Sequence, residues 1–300
     1  MGSMSALADS GLPPGADAGQ WAYPSLRQSL SAGTAPSLLL TILGELVLPV
    51  SSPVWTASLL YVLKGLGIEE QTARQTLART AESGLIVGER SGRLVRWSLT
   101  DAGVTLIQET TRRVMSLSTV PEQWDGNCLI LVVSVPQHQK AVRKRLYSAL
   151  NWAGFGNPAP GLWTSPHADR EEEMRQIVKD FDLQQSSFAF RGTTVDAGLT
   201  DDEIVQRAWD LDDVADRYRK LIDTFTDVAP EPGDDLLFSY IALANEWRQF
   251  PSMDPQLPRN LMPDWIGRDA TKLVLDLYTT WSEGAFKRWR EIMELTSPEK

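Results

Sequence analysis

Cysteine and histidine are scarce in this sequence: its 300 residues include one cysteine, Cys128, and two histidines, His138 and His167. A single cysteine excludes an internal disulfide framework and is typical of a protein of the reducing cytoplasm. Neither histidine stands in the spacing of a metal site or next to a nucleophile motif. We therefore predict that the chain is not an enzyme and uses no metal, no cofactor and no catalytic residue.

Long apolar segments and an excess of positive charge are also missing. The run from Leu38 to Leu43 is far shorter than the roughly 20 residues that a membrane helix needs, so no membrane partner is expected. No charged segment followed by an apolar core opens the chain, so we expect no secretion signal and a cytoplasmic location. The net charge of -10 excludes a protein that coats nucleic acid with its whole surface, but it is compatible with one local basic face.

Composition and periodicity divide the chain into four segments. Residues 1–35 are rich in Gly, Ser, Ala and Pro, which predicts a disordered arm. Residues 36–120 show the order helix, helix, helix, hairpin, helix of a winged helix-turn-helix domain. Residues 121–200 alternate short strands and helices, which indicates a ferredoxin-like domain, and residues 201–300 are almost wholly helical. The predicted fold class is α+β, with an N-terminal winged helix-turn-helix, a central ferredoxin-like domain and a C-terminal helical domain.

The central segment opens on a strand. The continuous apolar run Leu129–Val135 ends at Pro136 and predicts a strand that is buried on both faces. Cys128 begins this strand and is predicted to be a core residue. Residues 154–161 are rich in glycine and proline, which indicates a loop. The other predicted elements are helices at about 139–152 and 170–181 and strands at 162–165 and 187–191.

A basic face is predicted on the third helix and the hairpin. In the helix Glu69–Ser83 a polar face lies opposite an apolar stripe. The stripe is formed by Ala73, Leu77 and Ala81, which recur every four residues and pack inward. On the polar face, Arg suits guanine and Gln suits adenine in the major groove, and the hairpin arginines suit phosphate. The predicted DNA-binding residues are Gln71, Thr72, Arg74, Gln75, Arg79, Arg90, Arg93 and Arg96.

Several motifs are specific in combination. They occur in the N-terminal, central and C-terminal segments alike, so they characterise the whole chain from about residue 36 to residue 290. The motifs are Thr72–Arg79 and Gly92–Thr100, then Trp124–Gly126, Trp152–Gly156 and Pro160–Pro166, and finally Glu246–Pro251, Asp254–Pro258 and Trp265.

With these motifs the chain resembles the PaaX family of repressors of phenylacetate and related aromatic-acid catabolism. The resemblance implies a homodimer that binds a palindromic operator, an inverted repeat of double-stranded DNA. It also implies release of the operator by an aryl-acyl-CoA, typically phenylacetyl-CoA. The chain departs from the family at Ser134, where relatives often carry an acid, and this weakens any metal site on that strand. It departs again at Gln75 and Thr80 of the third helix, which leaves the operator sequence open.

Arginine flanked by aromatic residues is the pattern that we expect at the effector site. Arg248 stands between Trp247 and Phe250, and such a group suits a CoA phosphate or a carboxylate while a ring stacks on the indole. Trp163 is a further candidate. The alternative is structural: Arg248 ties a helix end to the proline-rich segment after it, and Trp163 fills the core.

Three other functions stay open at this point. One is a ferredoxin-like, metal-dependent nuclease tethered to DNA, which requires an acidic residue where Ser134 stands. Another is a constitutive DNA-binding module without a small-molecule effector. In the third, the basic face does not bind DNA: the helix is an ordinary amphipathic helix with a solvated side, and the hairpin is an ordinary surface hairpin.

Overall fold

The computed structural model describes residues 34–119, 124–195 and 197–298. The predicted disordered arm lies, except for its last two residues, outside the described residues. The helices are α1 Ala35–Ile42, α2 Thr56–Gly65, α3 Glu70–Glu82, α4 Asp101–Ser116, α5 Lys140–Trp152, α6 Glu171–Asp180, α7 Asp201–Ala208, α8 Leu211–Phe225, α9 Asp234–Trp247 and α10 Gly267–Leu295. The strands are β1 Val54–Trp55, β2 Ile86–Ser91, β3 Leu94–Leu99, β4 Cys128–Val133, β5 Gly156–Ala159, β6 Leu162–Ser165 and β7 Ser187–Gly192.

The chain divides into two compact units, and neither is continuous in sequence. The first unit is made of the described parts of Met1–Arg112, Ile222–Arg248 and Lys272–Lys300. The second unit is made of the described parts of Arg113–Leu221 and Gln249–Thr271. The division of the chain into four consecutive segments stays a prediction. In the described part, no helix is both long and apolar enough to cross a membrane.

In the first unit, α1, α2 and α3 pack around a common core, and the elements follow the order predicted for a winged helix-turn-helix domain. Helix α1 begins where the side chain of Thr34 accepts a hydrogen bond from the backbone N–H of Ser37, with Pro36 in the first turn, both usual signals of a helix start. Its residues Leu38 and Leu39 are fully buried. The helix then widens into a π-helical segment, Leu43–Val47.

A small antiparallel sheet completes this part of the first unit, in the order β1-β3-β2. Strands β2 and β3 form the predicted hairpin, and Gly92 at its turn has a φ of 63°, which glycine adopts without strain. The two-residue strand β1 was not predicted. It pairs with β3, and the indole N–H of Trp97 donates to the Thr56 hydroxyl at 2.9 Å. The hairpin is thereby fixed to α2.

Helix α9 belongs to the same unit and packs against α1 and α2. Asn245 of α9 accepts a hydrogen bond from the Ser37 hydroxyl at 2.8 Å. Tyr61 of α2 donates to Asp234 at 2.7 Å, and Arg288 of α10 donates to the same carboxylate at 2.8 Å. These contacts tie the first helices of the chain to its last ones.

The second unit contains a ferredoxin-like α+β arrangement, as predicted. Its elements follow the order β4-α5-β5-β6-α6-β7, and the strands lie side by side in the order β5-β6-β4-β7 with antiparallel neighbours. One face of the sheet is covered by α5 and α6. The core between them contains Leu129, Leu131 and Val133 of β4, Trp163 of β6, Leu146 and Leu150 of α5, and Met174 and Val178 of α6.

Strand β5 lies where the sequence predicted a loop. Composition alone favours a loop, but β5 is an edge strand, where Pro158 does not interrupt the ladder of a central strand. Gly156 allows α7 to approach: a Cβ there would lie 2.5 Å from the ring of Trp209 and 2.6 Å from the Cβ of Ala208. Tertiary packing, and not local composition, therefore makes residues 156–159 a strand.

Strand β4 also differs from its prediction. Its residues Leu129, Leu131 and Val133 are buried against the helices, but Val132 on the opposite face is 39% exposed and Ile130 is half-buried. The prediction that this strand is buried on both faces is wrong. Cys128 lies on the same outer face, half-buried, because side chains alternate along a strand. The outer face of the sheet is apolar without being covered by a helix layer.

Candidate nucleic-acid interface

Helix α3 buries one side and exposes the other. Ala73 and Leu77 face the core as predicted, together with Thr76 and Thr80, whereas Ala81 is only half-buried. Each of these two threonines donates its hydroxyl to the backbone carbonyl four residues earlier, at 2.8 Å, so both of these hydroxyls are paired. The exposed side presents Gln71, Thr72, Arg74, Gln75 and Arg79.

Two arginines on this exposed side are held along the helix by neighbours four residues away. Arg74 forms an ion pair with Glu70 at 2.8 Å, and both side chains are more than 40% exposed. Arg79 donates to the side chain of Gln75 at 3.5 Å. Exposed pairs of this kind contribute about 0.3–0.5 kcal/mol, so the guanidinium groups are free to exchange these partners for a base edge or a phosphate.

The hairpin presents two further arginines. Arg90 lies on β2 and Arg93 in the turn, and both are exposed. Neither forms an ion pair with a carboxylate in the described part of the chain. A charge without a partner at a turn suits contact with a nucleic-acid phosphate, where counterion release favours binding.

Arg96 has different surroundings from the other predicted DNA-binding arginines. Its guanidinium carbon lies 5.3 Å from the centre of the Trp55 ring, and a terminal nitrogen lies 3.6 Å from the carboxylate of Glu89. Its Nε is buried without a hydrogen-bond partner. Arg96 therefore lies against Trp55 of β1 with 35% of its side chain exposed. Sequence reasoning missed Trp55 because its partner lies far along the chain.

The four predicted effector residues fall in different surroundings. Trp163 is 1% exposed in the core of the second unit, with its ring edge-on to Tyr147 at 4.8 Å. Phe250, 3% exposed, stacks on Tyr218 with ring centres 4.1 Å apart. Trp247 is 4% exposed in the first unit. Their role in binding an effector stays a prediction, and their burial agrees equally with core packing.

Arg248 lies in a polar cluster of the first unit. It donates to the Thr41 hydroxyl at 3.1 Å and faces Glu45, which accepts a hydrogen bond from Tyr240 at 2.7 Å. Burial raises the pKa of Glu45, and the hydrogen bond from Tyr240 and the charge of Arg248 offset part of that rise. Burial also lowers the pKa of the Arg248 guanidinium, against the charge of Glu45. These contacts favour the structural alternative for Arg248.

Replacing Arg248 by alanine is expected to lower the free energy of unfolding by about 1–3 kcal/mol, because Glu45 then keeps its burial and loses its cation. Denaturant titration at neutral pH measures this loss. The control is Arg290→Ala. Arg290 is exposed on α10, so its replacement should change the free energy of unfolding by no more than about 0.5 kcal/mol. If Arg248→Ala kept its stability and lost its response to the effector, the effector-binding prediction for Arg248 would be favoured over the structural one.

Acidic, cysteine and histidine side chains do not gather in the described part: no group of three or more is placed to hold a metal ion. Ser134 follows β4, where a metal-dependent nuclease would need an acid. The candidate site of this structure is therefore the exposed side of α3 together with the β2–β3 turn.

Comparison with known proteins identifies the family. Three models match successive parts of the chain: PaaX-like protein at residues 34–103, PaaX protein central Cas2-like domain at 121–205, and PaaX-like protein C-terminal domain at 209–291. The chain is 27% identical over 256 residues to Transcriptional repressor PaaX of Escherichia coli (strain K12), covering 81% of this chain and 78% of that protein.

A solved structure shares the fold. Uncharacterized protein Rv0674 from Mycobacterium tuberculosis matches with a TM-score of 0.57 at 20% sequence identity, over 86% of this chain and 98% of that chain. The sequence motifs, the three family models and the relative agree with one another, and they confirm the resemblance drawn from the sequence. The chain belongs to the PaaX family.

Proposed function

We propose that this protein is a DNA-binding transcriptional repressor of an aromatic-compound catabolic operon. The observation that carries the proposal is that the exposed side of α3 presents arginine and glutamine, and that the turn of the hairpin after it presents Arg93. Such a helix enters the major groove while the hairpin contacts the backbone. The 27% identical relative, a transcriptional repressor, supports it, and a repressor acts in the cytoplasm, where a bacterial chromosome lies.

A homodimer on an inverted repeat is part of the proposal. Two copies related by a two-fold axis place their α3 helices in successive major grooves, about 34–36 Å apart. The exposed apolar side chains of the sheet support a self-association surface: Phe188 is 70% exposed, Phe190 53% and Val132 39%. Exposed apolar patches of this kind commonly mark protein contacts.

Control by an aryl-acyl-CoA, such as phenylacetyl-CoA, completes the proposal. The effector would favour a dimer geometry whose helices no longer match the operator spacing, which is a shift between two states. A constitutive DNA-binding module differs from this only in its lack of response to ligand. The metal-dependent nuclease is not favoured, because the matched relative is a repressor, and nothing in the proposal requires a catalytic group.

The test is a mobility shift with DNA from the upstream region of the protein's own gene, with and without phenylacetyl-CoA. We expect a specific complex that the thioester dissociates and acetyl-CoA does not. A complex that no aryl-acyl-CoA releases would leave a constitutive module. Absence of any specific complex would overturn the DNA-binding assignment.

Arg93→Ala is expected to weaken binding to every duplex alike and to reduce the slope of log K against log salt by about one phosphate contact. The reason is that Arg93 lies in the exposed turn, where it reaches backbone rather than base edges. The measurement is the affinity at four salt concentrations for operator and unrelated DNA. A slope that matches that of the Arg290→Ala control would mean that the turn does not touch phosphate.

A further inference from the structure

The second unit contains an open cavity of about 500 Å³. One wall is the outer face of the sheet, with Cys128 and Ile130 of β4 and Leu162 of β6. Helix α7 and the residues after it form the opposite wall, which includes Trp209, and Trp124 lines the cavity as well. The volume lies in the range of small-molecule sites, and apolar walls with few polar groups are typical of them.

The tryptophans suit a flat ring. Trp124 is held in place, since its backbone N–H donates to Asn260 at 3.0 Å and its indole N–H to the carbonyl of Asn127 at 2.6 Å. Trp209 is held in place as well: its ring packs on Gly156 of β5, and its indole nitrogen is buried in that contact. Large fixed aromatic walls favour stacking with an aromatic group over an aliphatic one.

Charged groups are few in the lining. Arg207 is exposed and has no carboxylate within ion-pair distance in the described residues. The acid in the lining, Asp201, accepts a hydrogen bond from the Thr194 hydroxyl. Burial raises the pKa of the Cys128 thiol, so the thiol is neutral at physiological pH and adds no charge to the wall. The cavity therefore suits an uncharged ring whose acyl arm leads to an anionic group near Arg207.

We propose that this cavity is the effector site. It binds the aryl group of an aryl-acyl-CoA between Trp124 and Trp209, and Arg207 binds an anionic group of the CoA part. The assignment rests on the proposed function for the consequence of binding, but not for binding itself. The cavity wall formed by the sheet belongs to the same outer face as Val132, Phe188 and Phe190, because paired residues of neighbouring strands share a face. A bound ligand is thus placed beside the surface through which we propose that two copies associate.

The sole cysteine of the chain gives a direct readout, because Cys128 lines the cavity. The full chain is alkylated with iodoacetamide, and the rate is followed by intact mass in the presence of phenylacetyl-CoA, phenylacetate or acetyl-CoA. We expect phenylacetyl-CoA to slow the alkylation at least tenfold and acetyl-CoA to leave it unchanged. An unchanged rate with both aryl compounds at millimolar concentration overturns the site, since Cys128 is then not covered.

A cavity-filling variant links the site to control. Ile130→Trp is expected to lose at least tenfold in the sensitivity of its operator complex to phenylacetyl-CoA, whatever its operator affinity without ligand. The matched control is Leu275→Trp, because Leu275 is 44% exposed on α10 and does not line the cavity. Its sensitivity should stay unchanged.

The outcomes separate this site from the repressor function. Operator release by phenylacetyl-CoA with neither protection of Cys128 nor an effect of Ile130→Trp would overturn the site and keep the repressor. Protection of Cys128 in a chain that binds no operator would keep the site and overturn the repressor. The alkylation rate is measured on the unaltered sequence, so misfolding of Ile130→Trp would not affect the test of Cys128 protection.

Discussion

Arg74→Ala is expected to weaken operator binding by about 1–3 kcal/mol, or roughly 5-fold to 150-fold, and to leave binding to unrelated DNA much less affected. Arg74 lies in the middle of the exposed side of α3, and its partner there is the exposed carboxylate of Glu70. Because that pair is weak, little is lost when the guanidinium turns to a base edge. The measurement is a pair of mobility-shift titrations, operator against scrambled duplex, at one salt concentration.

Two controls sharpen this result. Glu70→Ala removes the carboxylate that holds Arg74 but keeps the arginine, so operator affinity should stay equal or rise. Arg290→Ala removes an exposed arginine of α10 and should change neither affinity. If Arg74→Ala bound the operator as tightly as the unaltered chain, α3 would not be the helix that reads the bases.

Acidification from pH 6.5 to about pH 4 is expected to cost about 3 kcal/mol of unfolding free energy through His167 alone. Burial lowers the pKa of His167 to about 4, and the charge of Arg170 adds to that effect. The ring Nε2 lies 2.9 Å from the backbone carbonyl of Pro255, so the neutral ring donates there. The folded pKa is below the unfolded value of about 6.5. The unfolded chain therefore binds more protons between these values, and stability falls as the pH falls through that window.

His167→Gln isolates this contribution. Urea titrations of both chains at pH 7.5, 6, 5 and 4 give two curves of unfolding free energy against pH. The variant has no ring to protonate, so its curve should be flatter by about 3 kcal/mol over the window, whatever the substitution itself costs at pH 7.5. Parallel curves would mean that His167 is protonated as easily in the folded state as in the unfolded one.

The elements that local pattern decides were predictable from the sequence. The ends of α3, the hairpin turn at Gly92 and the order of β4, α5, β6, α6 and β7 in the central part all follow from caps, turn residues and periodicity. Strands β1 and β5 were not predictable, because two residues or a glycine-proline segment become a strand only when a neighbour supplies the ladder. The outer face of β4 was misjudged for a related reason: a run of apolar residues does not reveal whether the second face meets a helix or a cavity.

The candidate site shows the same division. The exposed side of α3 could be predicted because a period of 3.6 places it opposite Ala73 and Leu77. The burial of Thr76 and Thr80 was missed, since a threonine can return its hydroxyl to its own helix and pack like an apolar residue. Arg96 could not be distinguished from Arg90 and Arg93 of the hairpin, because its contact with Trp55 is tertiary.

The packing of α9 and α10 against the first helices has a consequence for synthesis on the ribosome. The core around α1 and α2 is closed by α9, and Ser58 of α2 exchanges a 2.6 Å hydrogen bond with Thr296, just after α10. The N-terminal helices leave the ribosome long before these partners exist, at a rate of about 5–20 residues per second. The core of the part proposed to bind DNA, α1 to α3 with the β2–β3 hairpin, is therefore complete only after α10 has been synthesised. A chain that ends before α10 would lack Arg288 and Thr296, so the contacts that these residues make with Tyr61 and Ser58 of α2 could not form.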